Sequence, residues 1–534
     1  MSRMETRVRS NWTALAAVAA LAVALEAPRR GGAEGPSRPD LERAIEKVLA
    51  RPELKGSTIG ICVARVKSGE VIHESGADRL LPPASNTKIL SCAGALATLG
   101  KDFRFETRVV AAGPIEGGRL RGDIVLVAAG DPNLSQRVSA GRERILFADK
   151  DHSYAGFFEA SLVKGDPLRV VKDLARQVEE AGVKAIDGDV VVDDGLFADT
   201  DDDFVGALSA ICINDNLVDV TVSPGARPGE PARVEVQPEG SLVDVRSSAR
   251  TGAEGVQTSL WLEPREGPAS FELMGTVSPG AEPVLRTGSF REPAVAAAGF
   301  LADALLERGI AAAGRPRRSR EGPEAHAQKK VLARHVSPPL SEALRVVLKV
   351  SQNLHATMLP PLVGALRAGR GDRRSGYRVI HDAFEREGLD MDAVSIWSGS
   401  GGGRGDQVSA RWMVSFLRHL AGRKDFPAFL DALPVGGVDG TLANAFTDAA
   451  FEGRIRAKTG TLVYRSALND RWVYVSKALS GYVDPGGAGR PEDLLAFSIL
   501  IANTLTSGKK KGSDDLFRVQ EDILRAVIES CRNK

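Results

Sequence analysis

Strand-forming sequence stands at both ends of this chain, and that most constrains what it can fold into. Near the start, residues 58–73 (TIGICVARVKSGEVIH) read as a β-hairpin turning at Lys67-Ser68-Gly69. Three further strand-like runs, RIRAKTGTLV, WVYVSKALSGYV and LLAFSILIAN, appear only beyond residue 453. A lone hairpin is marginal in water, so the two groups are expected to share one sheet. Helical periodicity fills much of the space between them. It runs through LERAIEKVLA from Leu41 and through the stretch after Ser85, which stops at Gly100. It returns in SEALRVVLKVSQNLHATMLPPLVGALRAG, GYRVIHDAFEREG and SARWMVSFLRHLAG, and closes the chain in DDLFRVQEDILRAVIES.

The middle of the chain has a different texture. From about 105 to 330, short strands alternate with Gly/Pro/Asp turns: RFETRVVAAG, GDIVLVAAG, GDVVVDD, LVDVTVSPG, ARVEVQP and SLWLEP. Helices are expected around 168–182 and 293–309. At roughly 150 residues per domain, the length of 534 allows three or four domains. The middle block therefore reads as an insertion of one or two β-rich domains into an α+β frame.

Composition narrows the function classes. Lys and Arg number 70 against 69 Asp and Glu, so the formal charge is +1 and no strongly basic surface awaits a nucleic acid. Arg3, Arg7 and Arg9 precede an apolar run from Trp12 to Leu25. That run is too short for a spanning helix, which needs about 20 residues, and reads as a secretory signal peptide over residues 1–27. Residues 28–40 read as a flexible leader. The mature protein is thus expected outside the cytoplasm, in the periplasm or its equivalent.

Cys62, Cys92, Cys212 and Cys531 show no CxxC spacing, and Cys62 and Cys92 read as buried thiols rather than a disulfide. The seven histidines are scattered, without HExxH or HxH, so no metal site is expected. The acidic stretch from Asp193 to Asp203 reads as a solvated loop. So does Lys509-Lys510-Lys511, with peripheral contact to an anionic membrane or wall polymer as its weaker reading. RGD triplets at Arg121, Arg370 and Arg404 read as chance in a chain rich in those residues.

Three short motifs carry chemistry. Ser85-Asn86-Thr87-Lys88 places a lysine one helical turn from a serine, next to it on the same face. A serine hydroxyl is a poor nucleophile until a base takes its proton, and a neutral lysine can be that base. Alone the pattern is weak: Ser161…Lys164 and Ser507…Lys510 match it and read as surface pairs. Ser351-Gln352-Asn353 follows a helical run, with a hydroxyl suited to relaying a proton and a carboxamide suited to holding a substrate backbone. Lys458-Thr459-Gly460-Thr461 lies on a strand, where lysine and threonine can hold a carboxylate and the glycine lets another backbone approach. Strict alternation puts Lys458 and Gly460 on one face and both threonines on the other, and a twisted edge strand would let all of them line one cleft.

These motifs occur in the order SxxK, SxN, KTG, separated by 266 and 107 residues, on a helix start, an inter-helix loop and a strand. The combination resembles the penicillin-recognising serine enzymes. PPASNTKIL, GDPNL, LSAICINDNLVDVTVSPG, SPPLSEALRVVLKVSQNLHATML, SGSGGGR, LPVGGVDGTL, AKTGTL and LSGYV resemble one branch of them, from about residue 41 to 530. That branch is the class C low-molecular-mass penicillin-binding proteins, the D-alanyl-D-alanine carboxypeptidase/endopeptidase family of penicillin-binding protein 4 type.

The resemblance implies a serine β-lactamase/transpeptidase-like catalytic domain, an antiparallel sheet flanked by helices. Its first part would span 41–105, the β-rich insertion 106–330 and its second part 331–534. It implies that Ser85 forms an acyl-enzyme, Lys88 takes its proton, and Ser351 with Lys458 returns a proton to the leaving group. Asn353 would bind the substrate amide. Thr459 and Thr461 would hold the terminal carboxylate beside Gly460, and the N–H groups of Ser85 and Thr461 would form the oxyanion hole. The implied partners are peptidoglycan stem peptides and β-lactams, with no cofactor. A β-lactamase on the same fold and a non-catalytic wall-binding scaffold are the alternatives, the first weakened by the lack of an ExxLN segment.

The chain departs from the family pattern in four places. Gln352 stands where Asp is usual, and activity is expected to survive because that residue carries no proton. Ser398 and Gly402 replace Asp and Leu, which is expected to loosen a cleft-side loop. DGTL lacks its usual following Arg. The segment VYRSALNDRWVYVSKA lengthens a hairpin, where Tyr464, Arg465 and Trp472 are placed to reshape the groove.

Overall fold

A computed structural model describes residues 38–532, apart from 136, 140–142, 404, 449–450, 452, 488–489, 491–492 and 507–512. The expected signal peptide, nearly all of the leader, the Lys509-Lys510-Lys511 run, Ser507…Lys510 and Arg404 lie outside the described residues. Among those described, no helix is long and apolar enough to cross a membrane.

Five antiparallel strands form one sheet, in the order Val71–Ser75, Thr58–Arg65, Leu495–Leu505, Trp472–Val483, Ile455–Arg465. The hairpin from the start of the chain joins the last strand of its end: Thr58 pairs with Ala502 and Arg65 with Leu495. Strand periodicity then sorts the core into two layers. Leu495, Phe497, Ile499 and Ile501 face the helices Pro39–Leu49 and Ser513–Arg532, packing with Leu41, Ile45, Val519, Ile523 and Val527. Ala496, Leu500 and Ala502 face the opposite way, toward Ile89, Cys92, Leu96, Phe416 and Leu417. Serines are buried at 476 and 480, with Ala478 between them on Trp472–Val483, and at 498 on the neighbouring strand. With so little side-chain bulk on it, the sheet lets the chain around Ser85 approach closely.

The helix Thr87–Leu99 lies on that face, with Leu340–Lys349, Asn353–Ala368, Arg373–Arg386 and Ala410–Ala421 around it. The intervening β-rich block contains a mixed five-stranded sheet, ordered Pro316–Ser319, Val190–Asp193, Ile124–Val127, Glu106–Ala111, Lys330–Val336. The chain enters the block along Glu106–Ala111 and leaves along Lys330–Val336, and these two strands pair antiparallel. Two smaller sheets centre on Leu217–Ser223 and Ala269–Val277.

One expectation needs correction here. The acidic stretch is not one solvated loop. Asp193 is buried, bonded to His326 at 2.8 Å and to the N–H groups of Gly195, Glu321 and Gly322. Asp194, also buried, pairs with Arg318 at 2.7 Å. A run of aspartates cannot show that partners wait more than a hundred residues away. The lengthened hairpin pairs as far as Arg465 and Trp472, and its tip residue Leu468 is 93 % exposed. Cys62, Cys92 and Cys212 are buried free thiols.

Ile523 tests the two-ended assembly, because it is fully buried between the terminal helix and the sheet. Ile523→Ala is expected to destabilise the protein by about 2–5 kcal/mol, read from chemical denaturation. A loss under about 1 kcal/mol would mean that the last helix does not seal this layer.

Candidate active site

The first motif sits where the chain enters the helix Thr87–Leu99. A single 3-10 turn, Ala84–Asn86, follows Pro82-Pro83 and runs straight into that helix. Ala84 takes φ +46°, a left-handed conformation that costs a side chain roughly 1–3 kcal/mol. The surroundings hold it there. Ser476 donates to the Pro82 carbonyl at 2.6 Å, and the buried Asn86 bonds Ser480 at 2.7 Å. Turned so that both ends of its amide are satisfied, Asn86 also donates to the Lys458 carbonyl at 2.7 Å. From the other side comes Gly401, at φ +92°, where a Cβ would lie 1.9 Å from the Ala84 carbonyl oxygen.

Lys88 is fully buried. Its Nζ lies 2.8 Å from Ser85 Oγ, 2.7 Å from Asn353 Oδ1 and 2.8 Å from the Ser400 carbonyl oxygen. All three neighbours are uncharged. Burying an ammonium without a carboxylate costs several kcal/mol, whereas a neutral amine needs only its hydrogen bonds. Burial, and after it the charge of Lys458, hold Lys88 well below the ordinary lysine range. A neutral amine has two N–H bonds, and the Asn353 and Ser400 oxygens accept them. The lone pair is left for the proton of Ser85.

The third motif lies on the sheet edge, on Ile455–Arg465. Lys458 is fully buried; burial pulls its pKa down to about 7, and its Nζ donates to the Thr459 carbonyl at 2.8 Å. Gly460 fits because a Cβ there would stand 2.7 Å from the Pro83 carbonyl and 3.2 Å from the Ser85 nitrogen. That contact sets the edge strand beside the serine N–H. The Thr459 hydroxyl donates to Thr441 at 3.0 Å, and exposed Thr461 accepts from Lys477 at 3.2 Å.

The second motif spans the break between Leu340–Lys349 and Asn353–Ala368. Ser351 is buried at φ +62°, and its carbonyl accepts from the Tyr154 hydroxyl at 2.6 Å. Gln352 caps the second helix by accepting from the His355 N–H at 3.2 Å. Just before the break, buried Lys349 bonds Asp439 at 2.6 Å. A Cβ on Gly440 would meet the Lys349 carbonyl at 2.4 Å. The segment carrying Asp439, Gly440 and Thr441 thus links the second motif to the third.

Ser85, Lys88 and Asn353 are therefore joined by hydrogen bonds, Gly460 abuts the serine, and Lys458 acts on Lys88 through its charge. Ser351 lies two residues before Asn353 in the same turn, and Thr459 and Thr461 continue along the edge strand. Ser161 and Lys164 are both exposed and lie outside any helix. Residues 398–403 of the SGSGGGR segment are tied down, contrary to expectation. Buried Ser398 donates to Asp406 at 2.7 Å and accepts from the N–H groups of Gly401 and Gly403 at 2.8 and 3.3 Å. Asp406, eight residues on, brings a carboxylate to the loop.

Sequence reasoning gave Tyr154, Asp215, Ser400 and Thr441 no role. Ser400 and Thr441 lie in segments that carry the family resemblance, but nothing in the sequence marks Tyr154. The histidines are scattered only along the chain. Ligand atoms of Cys212, Asp215 and His355, of Asp151, His152 and Asp215, and of Asp193, Glu321 and His326 lie within 4.8 Å of one another in each group. In each group a histidine–aspartate hydrogen bond already engages ligand atoms.

Such an arrangement, a serine hydroxyl on a buried lysine with a second lysine and a carboxamide beside it on an α+β frame, has the chemistry that serine acyl transfer needs. Residues 41–521 match the D-Ala-D-Ala carboxypeptidase 3 (S13) family, and the chain belongs to it. It is 30 % identical to the D-alanyl-D-alanine carboxypeptidase of Actinomadura sp. (strain R39), over 89 % of this chain and 83 % of that protein. It is 22 % identical to the D-alanyl-D-alanine carboxypeptidase DacB of Haemophilus influenzae, over 76 % of this chain and 81 % of that one. The crystal structure of penicillin binding protein 4 (dacB) from Haemophilus influenzae shares the fold. Its TM-score is 0.70 at 20 % identity, over 91 % of this chain and 99 % of the other. The enzyme is thus a serine peptidase, a class C D-Ala-D-Ala carboxypeptidase of penicillin-binding protein 4 type.

The coupling of the two lysines can be read directly. Lys458→Met removes the cation while leaving a long side chain in its place. The Lys88 pKa is then expected to rise, though to stay below about 10.4 because burial persists. Nitrogen-15 lysine NMR titration of Lys88 measures this. An unchanged or lower value would remove Lys458 from the cause.

Proposed function

We propose that the chain cleaves D-Ala-D-Ala in peptidoglycan stem peptides through an acyl-enzyme on Ser85, and that β-lactams acylate the same hydroxyl. The observation that carries this reading is the fully buried Lys88 amine, within hydrogen-bonding reach of Ser85 Oγ and of two oxygens that can only accept. As Ser85 Oγ attacks the carbonyl carbon of the penultimate D-Ala, its proton passes to Lys88 Nζ. The oxyanion forms beside the Ser85 N–H in the first helical turn, where the helix dipole favours negative charge, and beside the Thr461 N–H.

The scissile C–N bond then breaks. The proton taken by Lys88 passes to the leaving amine through Ser351, with Lys458 behind it, so that Lys88 is neutral again before water enters. Asn353 orients the substrate amide, and Thr459 and Thr461 bind the terminal carboxylate. Water hydrolyses the acyl-enzyme, with Lys88 again the base. A leaving D-Ala is carboxypeptidation; a leaving cross-linked peptide is endopeptidation. The Haemophilus influenzae protein has been solved complexed with a β-lactam, which supports the penicillin-binding part of this reading. Peptidoglycan lies outside the cytoplasm, so a substrate of this class places the working enzyme there, by way of the export signal read at residues 1–27.

Intact mass after benzylpenicillin treatment tests the site. One covalent adduct is expected on the wild type and none on Ser85→Ala; an adduct that survives the substitution would end this reading. Digestion of purified muropeptides should release D-Ala, and cross-linked dimers should be split if endopeptidation is present. Rapid turnover of a chromogenic cephalosporin without lasting adduct would mark a β-lactamase instead.

A further inference from the structure

The turn that carries the second motif is held from behind by the inserted block. Asp215 is the hub. Its Oδ1 bonds His355 Nε2 at 2.8 Å, and its Oδ2 bonds His152 Nε2 at 2.8 Å and accepts from Gln352 Nε2 at 3.2 Å. The other ring nitrogen of His152, Nδ1, lies 2.7 Å from Asp219 Oδ1, on the strand Leu217–Ser223. Two residues past His152, the Tyr154 hydroxyl donates to the Ser351 carbonyl at 2.6 Å. His152, Gln352 and His355 are each at most 1 % exposed.

The backbone is strained on both sides of this contact. Asn214, Asp215 and Asn216 take φ of +52°, +56° and +53°, and Ser351 takes +62°. Non-glycine residues hold such angles only where the surroundings over-determine them, at roughly 1–3 kcal/mol each. Asn214 is anchored by its amide to the Leu217 carbonyl and Asp219, and Asn216 by its amide to the Ile211 carbonyl. The loop is thus fixed to its own sheet and presents Asp215 to the catalytic turn. The amide at 352 suits this partner: where an aspartate would set a second carboxylate against Asp215, Gln352 donates a hydrogen bond.

We infer that Asp215 and Tyr154 are positioning residues of the peptidase. Through Gln352, His355 and the Ser351 carbonyl, they fix the direction in which Ser351 and Asn353 enter the site. The inserted block thereby completes the catalytic geometry. This rests on the reading of Ser85, Lys88, Ser351 and Asn353 given above. Asn353 Oδ1 is one of the acceptors that hold Lys88 Nζ, so a displaced turn changes the lysine as well as the relay.

The test uses the full chain with Asp215→Asn and Tyr154→Phe, in parallel with the wild type. Acylation by benzylpenicillin is followed against concentration and pH, with the thermal midpoint and adduct stoichiometry measured alongside. Tyr154→Phe keeps the ring and is expected to fold, with its limiting acylation rate down about tenfold, less than the roughly hundredfold that a misplacement of about 1 Å can cost. Asp215→Asn is expected to fall at least as far. In both, the acid limb of the rate profile is expected to move to lower pH. An acceptor favours a charged donor, so its withdrawal from Lys88, still facing Lys458 and Asp406, lowers the lysine pKa further.

A purely structural role would lower the thermal midpoint and leave the rate and acid limb of the folded fraction unchanged. Tyr154→Phe acylating within twofold of wild type at every pH overturns the inference, even if Asp215→Asn fails to fold. An unlabelled wild type would instead sink the reading of the site, and this inference with it. Labelling of the wild type with normal rates in the variants sinks the inference alone.

Discussion

A buried amine with no carboxylate in hydrogen-bonding reach organises this molecule. Lys88 is enclosed by a hydroxyl, a carboxamide oxygen and a backbone carbonyl. None of these can stabilise an ammonium ion as a carboxylate would. Neutrality is thus the low-energy state of the site, and neutrality is what lets a lysine take a proton. The arrangement demands partners from three places: Ser85 one turn back, Asn353 at the head of another helix, and Ser400 in a glycine-rich loop. Lys458, about as deeply buried, adds the second positive charge that discourages protonation further.

Holding these groups together depends on close backbone approach. The sheet face under Ser85 carries Ala and Ser in place of large side chains, so the turn Ala84–Asn86 can rest on it and bond Ser476 and Ser480. Glycines 401 and 460 close on the same turn from the loop and the edge strand. Ala84 and Ser351 each occupy strained left-handed angles next to the reacting groups. The strain is tolerated because rigid elements on both sides fix the chain.

The departures from the family pattern show how far local sequence can mislead. Ser398 in place of an aspartate suggests a slack loop. Folded, its hydroxyl gathers two backbone N–H groups and leans on Asp406, so the loop keeps a carboxylate through a different residue. Gln352 reads as a simple loss of charge. Folded, its amide faces Asp215, a carboxylate already shared by His152 and His355. Both substitutions make sense only against partners far away in the chain or across a turn.

Much of the fold and of the candidate site was legible because it is written in short-range pattern. Strand alternation in LLAFSILIAN separates two core layers, helical spacing after Ser85 marks the motif helix, and Lys88 follows Ser85 by one turn. The three motifs name their chemistry through residue type alone. Long-range pairing has no such signature. Nothing in the spacing says that Asp193 would be buried against His326, that three buried histidines would each meet an aspartate, or that Tyr154 would reach the Ser351 carbonyl. Periodicity records which face of an element is apolar, a property of neighbouring residues. Which polar groups meet inside depends on how whole elements pack, and that is decided only when the two ends of the chain close the sheet around the rest.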